Sequence, residues 1–291
     1  MNVRWDNPTP LKKNQIMSIT AAEVNNLRKQ TGAGMMDCKK ALQEAEGNTE
    51  KAIEILRLKG QKVAAKRGDR ETGEGVILAS SNGEGDFGVL LSLNCETDFV
   101  AKNEEFVGVA QTLVDLALSN KIESKEALME QEYPGSGVSV AEKITEQIGK
   151  IGEKIEVAVY HTMSASQVAA YIHPGNRLAT LVGFSASVDS EVGRNVAMQA
   201  AAMAPVALDE TTIPADLIEK ERAIGKELAI QEGKPEEMAE KIAEGRLKKW
   251  FKEATLVNQM FIKDNKINVA AYVKAANNDA VLTAYCREAL D

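Results

Sequence analysis

The side chains able to do covalent chemistry are few: Cys38, Cys95 and Cys286, with His161 and His173 the only imidazoles. A nucleophile needs a base within hydrogen-bond reach, and the best pair, Cys95 and His173, lies far apart with no triad-like pattern between. An enzyme reading therefore has no catalytic residue to name. Two histidines without CxxC or HExxH spacing leave a transition-metal site almost nothing to be built from. No GxxxxGK(S/T) run occurs, and Gly73-Glu74-Gly75 and Gly83-Glu84-Gly85 read as turn glycines, since neither continues into GxGxxG ahead of a helix. The chain reads as a non-enzyme with no cofactor, no metal and no nucleotide site of its own.

What remains is a place of presentation. In residues 94–106, NCETDFVAKNEEF, an apolar strand pattern stops and an amphipathic helix pattern begins. Thr97-Asp98-Phe99-Val100 sets a carboxylate beside a large ring at that strand-to-helix turn, where side chains are commonly offered to partners. Two readings stand side by side. Either Phe99 packs inward, as Phe commonly does, and Asp98 favours the positive end of the next helix by ~0.3–1 kcal/mol. Or Asp98 and Phe99 form a wedge for another protein.

Composition narrows the field. A chain of 291 residues, 44% hydrophobic and 27% charged, is that of an ordinary globular protein, and at ~100–200 residues per domain it makes about two domains. The longest apolar runs fall short of the ~18–20 residues that cross a bilayer, so no membrane role is expected. A net charge of −8 and a pI near 5.1 argue against direct nucleic-acid binding, which needs clustered Lys and Arg. Three widely spaced cysteines fit reduced thiols and a cytoplasmic setting.

The elements that hold the turn follow from periodicity. Residues 1–17, with two prolines and a Trp, read as a leader or extension lacking the apolar core of a secretory signal. Thr20 caps a first helix ending before Gly32. A second spans 35–46 with Met36, Lys40, Ala41 and Ala45 near one stripe, and a third, capped by Asn48 or Thr49, buries Ala52, Ile53, Ile55 and Leu56. These make a three-helix domain, 18–56, followed by a basic helix or linker, 57–73. Runs 76–79 and 87–93 around a Gly/Asn cluster predict a β-hairpin leading into the turn. Phe106, Val109, Ala110, Leu113, Val114 and Ala117 mark the helix beyond it, and 120–140 reads as a polar connection.

The pattern then returns. After a helix starting near residue 141 come strands at 157–160, 168–172 and 178–184, with His173-Pro174-Gly175-Asn176 as a turn, and a helix over 192–203. Two similar α/β lobes with small antiparallel sheets are expected, 74–140 and 141–212. Residues 213–254 differ in kind, with Leu217, Ile224, Leu228, Met238, Ile242, Leu247 and Trp250 forming a narrow stripe around Gly233-Lys234-Pro235. This predicts an antiparallel coiled-coil hairpin that either projects and dimerises or lies on the core. A final segment, 255–291, rejoins the core, its last part reading as helix through Val269, Tyr272, Val273, Val281, Leu282 and Tyr285. The fold class is α+β.

Two long stretches carry a resemblance. TGAGMMDCKKAL at 31–42, preceded by Leu27-Arg28, and NC-TDFVAK at 94–102 resemble the paired signatures of bacterial translation elongation factor Ts, the guanine-nucleotide exchange factors for EF-Tu. The likeness extends over nearly everything after residue 17, including the helical hairpin. It implies a UBA-like N-terminal domain and EF-Tu as partner, with a homodimer or heterotetramer through the hairpin. Thr97, Asp98, Phe99 and Val100 would dislodge Mg²⁺ from EF-Tu. Arg28, Met35, Met36, Lys39, Ile151, Gly152 and His173 would supply EF-Tu-binding contacts.

The chain departs from the family pattern at Gln259-Met260-Phe261, where the family often has Gln-Pro-aromatic, and at Arg177-Leu178, where a glycine usually follows the Arg. A rival reading makes the three-helix domain an adaptor for ubiquitin-like or other helical ligands. The paired signatures tell against it.

Overall fold

The computed structural model describes residues 19–290; the expected leader, 1–17, lies outside them. The described chain folds as two compact units, one of residues 19–68 and 145–153, the other of 69–144 and 154–290. Helices and small antiparallel sheets place it in the α+β class.

The first unit is built on helix starts and stops written into the sequence. Helix α1 (Ala21–Thr31) opens on a Thr20–Glu23 capping box and closes at Gly32, whose φ of 67° suits glycine. Helix α2 (Met35–Glu44) buries Cys38, Ala41 and Leu42, and α3 (Thr49–Arg67) is capped by Asn48. The expected stripe on α2 is thus rotated: Met36 and Lys40 face solvent, and Cys38 and Leu42 join Val24, Leu27, Ala41, Ala45 and Ala52 in the core.

Helix α3 also runs through most of the expected 57–73 linker. The reason lies at Gly60, where an added Cβ would come 2.9 Å from the Thr145 carbonyl, and at Gly149, where it would come 2.8 Å from Gly60 Cα. Two glycines let α3 and the C-terminal part of α7 (Val140–Ile151) touch backbone to backbone. Residues 145–153 therefore belong to the helical unit rather than to the second lobe.

In the second unit, β1 (Glu74–Ser81) and β2 (Phe87–Cys95) form the expected hairpin, and β2 also pairs with β3 (Glu156–Ser164). A second sheet has the order β4 (Gln167–Ile172), β5 (Leu178–Phe184) and β8 (Leu282–Ala289), all antiparallel. The strand expected at 157–160 thus completes the first sheet, and the chain end supplies the third strand of the second.

The last segment corrects a helical reading. Helix α11 (Val269–Ala276) stops at Asn277. In β8, Ala284 and Cys286 pack into one core cluster while Leu282 and Tyr285 pack into another, with a register shift between Gly183 and Phe184 that leaves no clean period of two to read from the sequence. Between the strands lie α4 (Asp98–Ala101), α5 (Glu104–Ser119) and α6 (Lys125–Glu130). Every expected apolar residue of α5 is buried, and α6 puts Leu128 inside the stretch expected to be a polar connection. Helix α8 (Ser190–Met203) covers the second sheet with Val196, Gln199 and Ala200 buried.

Helices α9 (Ala215–Gln231) and α10 (Glu236–Ala254) form the hairpin, but on a different seam. Gly225 packs against Ala243, and Ala229, Ala239 and Leu247 are buried with them; Leu247 belongs to the expected stripe, while Ile224, Leu228 and Met238 of that stripe are exposed. Small residues let the helices approach closely, which leaves no room at the seam for the larger side chains. Arg222–Glu244, Lys226–Glu240 and Arg246–Glu232 ion pairs, 2.7–3.0 Å long, brace its flanks. The segment closes through β6 (Met260–Phe261) and β7 (Asp264–Asn268).

Candidate functional site

Strand β2 is buried along its whole length and ends at Cys95. Beyond it the chain is tied by side chains: Asn94 Nδ2 donates to the Thr72 carbonyl at 2.8 Å, and Cys95 Sγ donates to the Thr97 carbonyl at 3.2 Å. Thr97 remains extended (φ −129°, ψ 152°) and serves as N-cap to α4, a single turn whose one buried residue is Ala101. Ala101 forms the inner side of the turn. Phe99 therefore points outward, 83% exposed, and the inward-packing reading fails.

Asp98 lies one residue before the ring, and Lys102 Nζ meets its Oδ2 at 2.6 Å. The Lys102 hydrogen bond holds the Asp98 carboxyl below the ordinary carboxylate range. Because the folded value is depressed, the pair's contribution is present above the ordinary value and fades as pH falls through the depressed one. Replacing Lys102 by Ala is expected to return Asp98 upward toward the ordinary carboxylate range, read by NMR titration of its side-chain carboxyl. No upward shift would mean that the ion pair does not set the charge.

The His173 turn sits at the same end of this unit. His173 is exposed and lies 3.1 Å, by Nδ1, from the Tyr171 hydroxyl. The Asn176 carbonyl of that turn accepts from Ile77 N–H at 2.7 Å, and Arg177 pairs with Glu74, the ladder partner of Cys95. The structure thus brings His173 and Thr97–Val100 to one edge, both tied to the start of β1.

The other expected contacts lie in the helical unit. Arg28, Met35, Met36 and Lys39 are all exposed at or near the α1–α2 turn, Met35 at 55% and Met36 at 61%. Ile151 and Gly152 close α7, with Gly152 at φ 83° donating to the Ile148 carbonyl. A Cβ on Gly32 would come 3.1 Å from Lys150 Nζ, so the end of α7 reaches the same turn. Among the described residues no three His, Cys, Asp or Glu side chains are grouped to hold a metal ion.

Residues 96–289 match the family model described as Elongation factor TS. The Elongation factor Ts of Christiangramia forsetii is 54% identical over 274 residues, covering 94% of this chain and 98% of that protein. The chain belongs to the elongation factor Ts family. Elongation factor Ts of Flavobacterium psychrophilum is 50% identical over 275 residues and that of Porphyromonas gingivalis 42% over 275, each covering 94% of this chain and 99% of its own. The elongation factor Ts family model takes in the Thr97 turn and His173 but not Arg28, Met35, Met36 or Lys39. The full-length relatives leave too few residues unmatched to omit the three helices.

Sequence reasoning missed three residues of this elongation factor Ts edge: Glu74 and Arg177, whose ion pair joins the end of the His173 turn to the start of β1, and Glu96. Their signal was present only as register. Until β1, β2 and β3 are aligned, nothing marks these charges as more than solvated ones. No described helix is long and apolar enough to cross a membrane.

Proposed function

We propose that this chain is a cytoplasmic guanine-nucleotide exchange factor for EF-Tu: it binds EF-Tu·GDP, disturbs the Mg²⁺ and phosphate site, and promotes GDP release so that GTP can bind. It makes and breaks no covalent bond. The observation that carries the reading is Phe99, a large ring held outside the core on a one-turn helix whose other end is anchored. A buried Phe would stabilise the fold by ~1.5–3 kcal/mol. An exposed one on a braced turn forgoes that gain for a partner.

The mechanism follows from the ion's demands. Mg²⁺ needs near-ideal octahedral oxygen contacts, so a small displacement of its ligands loosens its hold on a bound phosphate. Phe99 displaces those ligands without binding the ion, with Thr97, Asp98 and Val100 alongside. Driving a partner from almost wholly nucleotide-held to almost wholly released takes ~5.5 kcal/mol of differential binding, more than one ring supplies. The other contacts must also favour the open form.

Arg28, Met35, Met36 and Lys39 of a UBA-like three-helix domain, with Ile151, Gly152 and His173, take that part against EF-Tu. The α9–α10 hairpin acts as a coiled coil through which two copies, each with an EF-Tu, assemble. By reciprocity, GDP with Mg²⁺ weakens this chain's hold on EF-Tu. Release of fluorescent GDP from purified EF-Tu, with and without this chain, tests the reading. An unchanged release rate refutes it.

A further inference from the structure

Side chains take over where the backbone ladder of β2 stops. In the β2–β3 ladder Leu93 faces Val157 and Asn94 faces Glu156, so the same register would set Glu96 opposite Lys154. Both residues lie just outside the strands. There the Lys154 N–H donates to Glu96 Oε1 at 2.6 Å, a carboxylate standing where a ladder carbonyl would be. Bonds of this charge-assisted kind are short and about twice as strong as neutral ones. With the ladder satisfied by a side chain, the backbone at 96–97 is free to leave the sheet.

The opposite flank of β2 is treated likewise. Asn94, held by Ser92 Oγ at 2.5 Å, reaches the Thr72 carbonyl, and Cys95 Sγ reaches Thr97. The tie at Glu96 joins the wedge turn to the segment leading into β3, across from the Thr72 side, and so restrains the turn's swing about the end of β2.

We infer that Glu96 is the positioning residue of the wedge: its carboxylate, by replacing a ladder carbonyl at Lys154, sets the direction in which Phe99 points. The inference rests on the exchange reading, since Glu96 acts through the turn and not on nucleotide or ion. A turn ordered in advance loses less freedom on insertion than a loose one.

The test uses the full chain with Glu96→Ala and Glu96→Gln, against EF-Tu loaded with fluorescent GDP, over a range of factor concentrations. Glu96→Ala is expected to lower the maximal release rate about fivefold, the size of one net hydrogen bond, with half-saturation within about twofold of wild type. Gln keeps an oxygen that accepts from Lys154 N–H and should restore most of the rate. In the free chain, amide hydrogen exchange at Lys154 should speed up in Glu96→Ala while the centre of β2 stays protected.

Any of four results overturns the inference: a wild-type maximal rate in Glu96→Ala, equal failure of Ala and Gln, unchanged protection at Lys154, or a loss confined to half-saturation. A wild-type chain that leaves GDP release unaccelerated sinks the exchange reading and this inference with it. The hydrogen-exchange result then tells whether the tie itself was real.

Discussion

Phe99→Ala is expected to slow GDP release from EF-Tu by roughly 10- to 100-fold at saturating factor, with no change in the melting of the free chain. The magnitude comes from the ring's burial on insertion, ~1.5–3 kcal/mol, at about 1.4 kcal/mol per tenfold. The lack of a stability effect follows from its 83% exposure, since surface substitutions away from special features stay within about 0.5 kcal/mol. Phe99→Leu, which keeps an apolar group of smaller reach, should fall between.

Two measurements decide the matter together, stopped-flow release of fluorescent GDP and a thermal melt. A variant that melts normally and exchanges at the wild-type rate removes Phe99 from the wedge role. One that melts early would mean the ring is part of the core after all.

Much of this architecture was legible in the sequence because its local signals agree. Thr20 and Asn48 are helix caps in both sequence and structure, and the apolar face of α5 is buried residue for residue. The Thr97–Val100 turn was visible as the junction of two periodicities. Whether Phe99 pointed in or out was not, because a single turn such as α4 carries no period of its own and its orientation is decided by Ala101 and the ties at its base.

The other misses share one cause. Strands β3 and β8 pair across long separations in sequence, and the seam of the α9–α10 hairpin is chosen by the fit of Gly225 against Ala243, not by hydrophobicity. Glu74, Glu96 and Arg177 gain their meaning only from register. Local pattern fixes elements; long-range packing fixes which face and which edge they use.

Gly75→Ala is expected to be the most damaging single-methyl addition near the site. Gly75 lies at φ 155°, opposite Asn94 in the ladder, and a Cβ there would meet the Leu93 carbonyl at 2.4 Å and Asn94 Cα at 2.8 Å. Both obstacles are backbone, so no side chain can swing aside and β1 must draw away from β2. Overpacking typically costs about 1–3 kcal/mol and the forced backbone conformation of order 1 kcal/mol more. At ~2–4 °C per kcal/mol for a unit of this size, melting should fall by about 5–15 °C.

The displacement would fall where Glu74, Asn94 and Thr72 brace the wedge, so protein that remains folded should also exchange GDP more slowly. Gly83→Ala, where an added Cβ meets nothing within 4 Å, is the matching control and should melt as wild type. If Gly75→Ala melts with that control, the close approach of β1 to the end of β2 does not exist in solution, and the ties proposed to aim Phe99 lose the strand pair on which they are built.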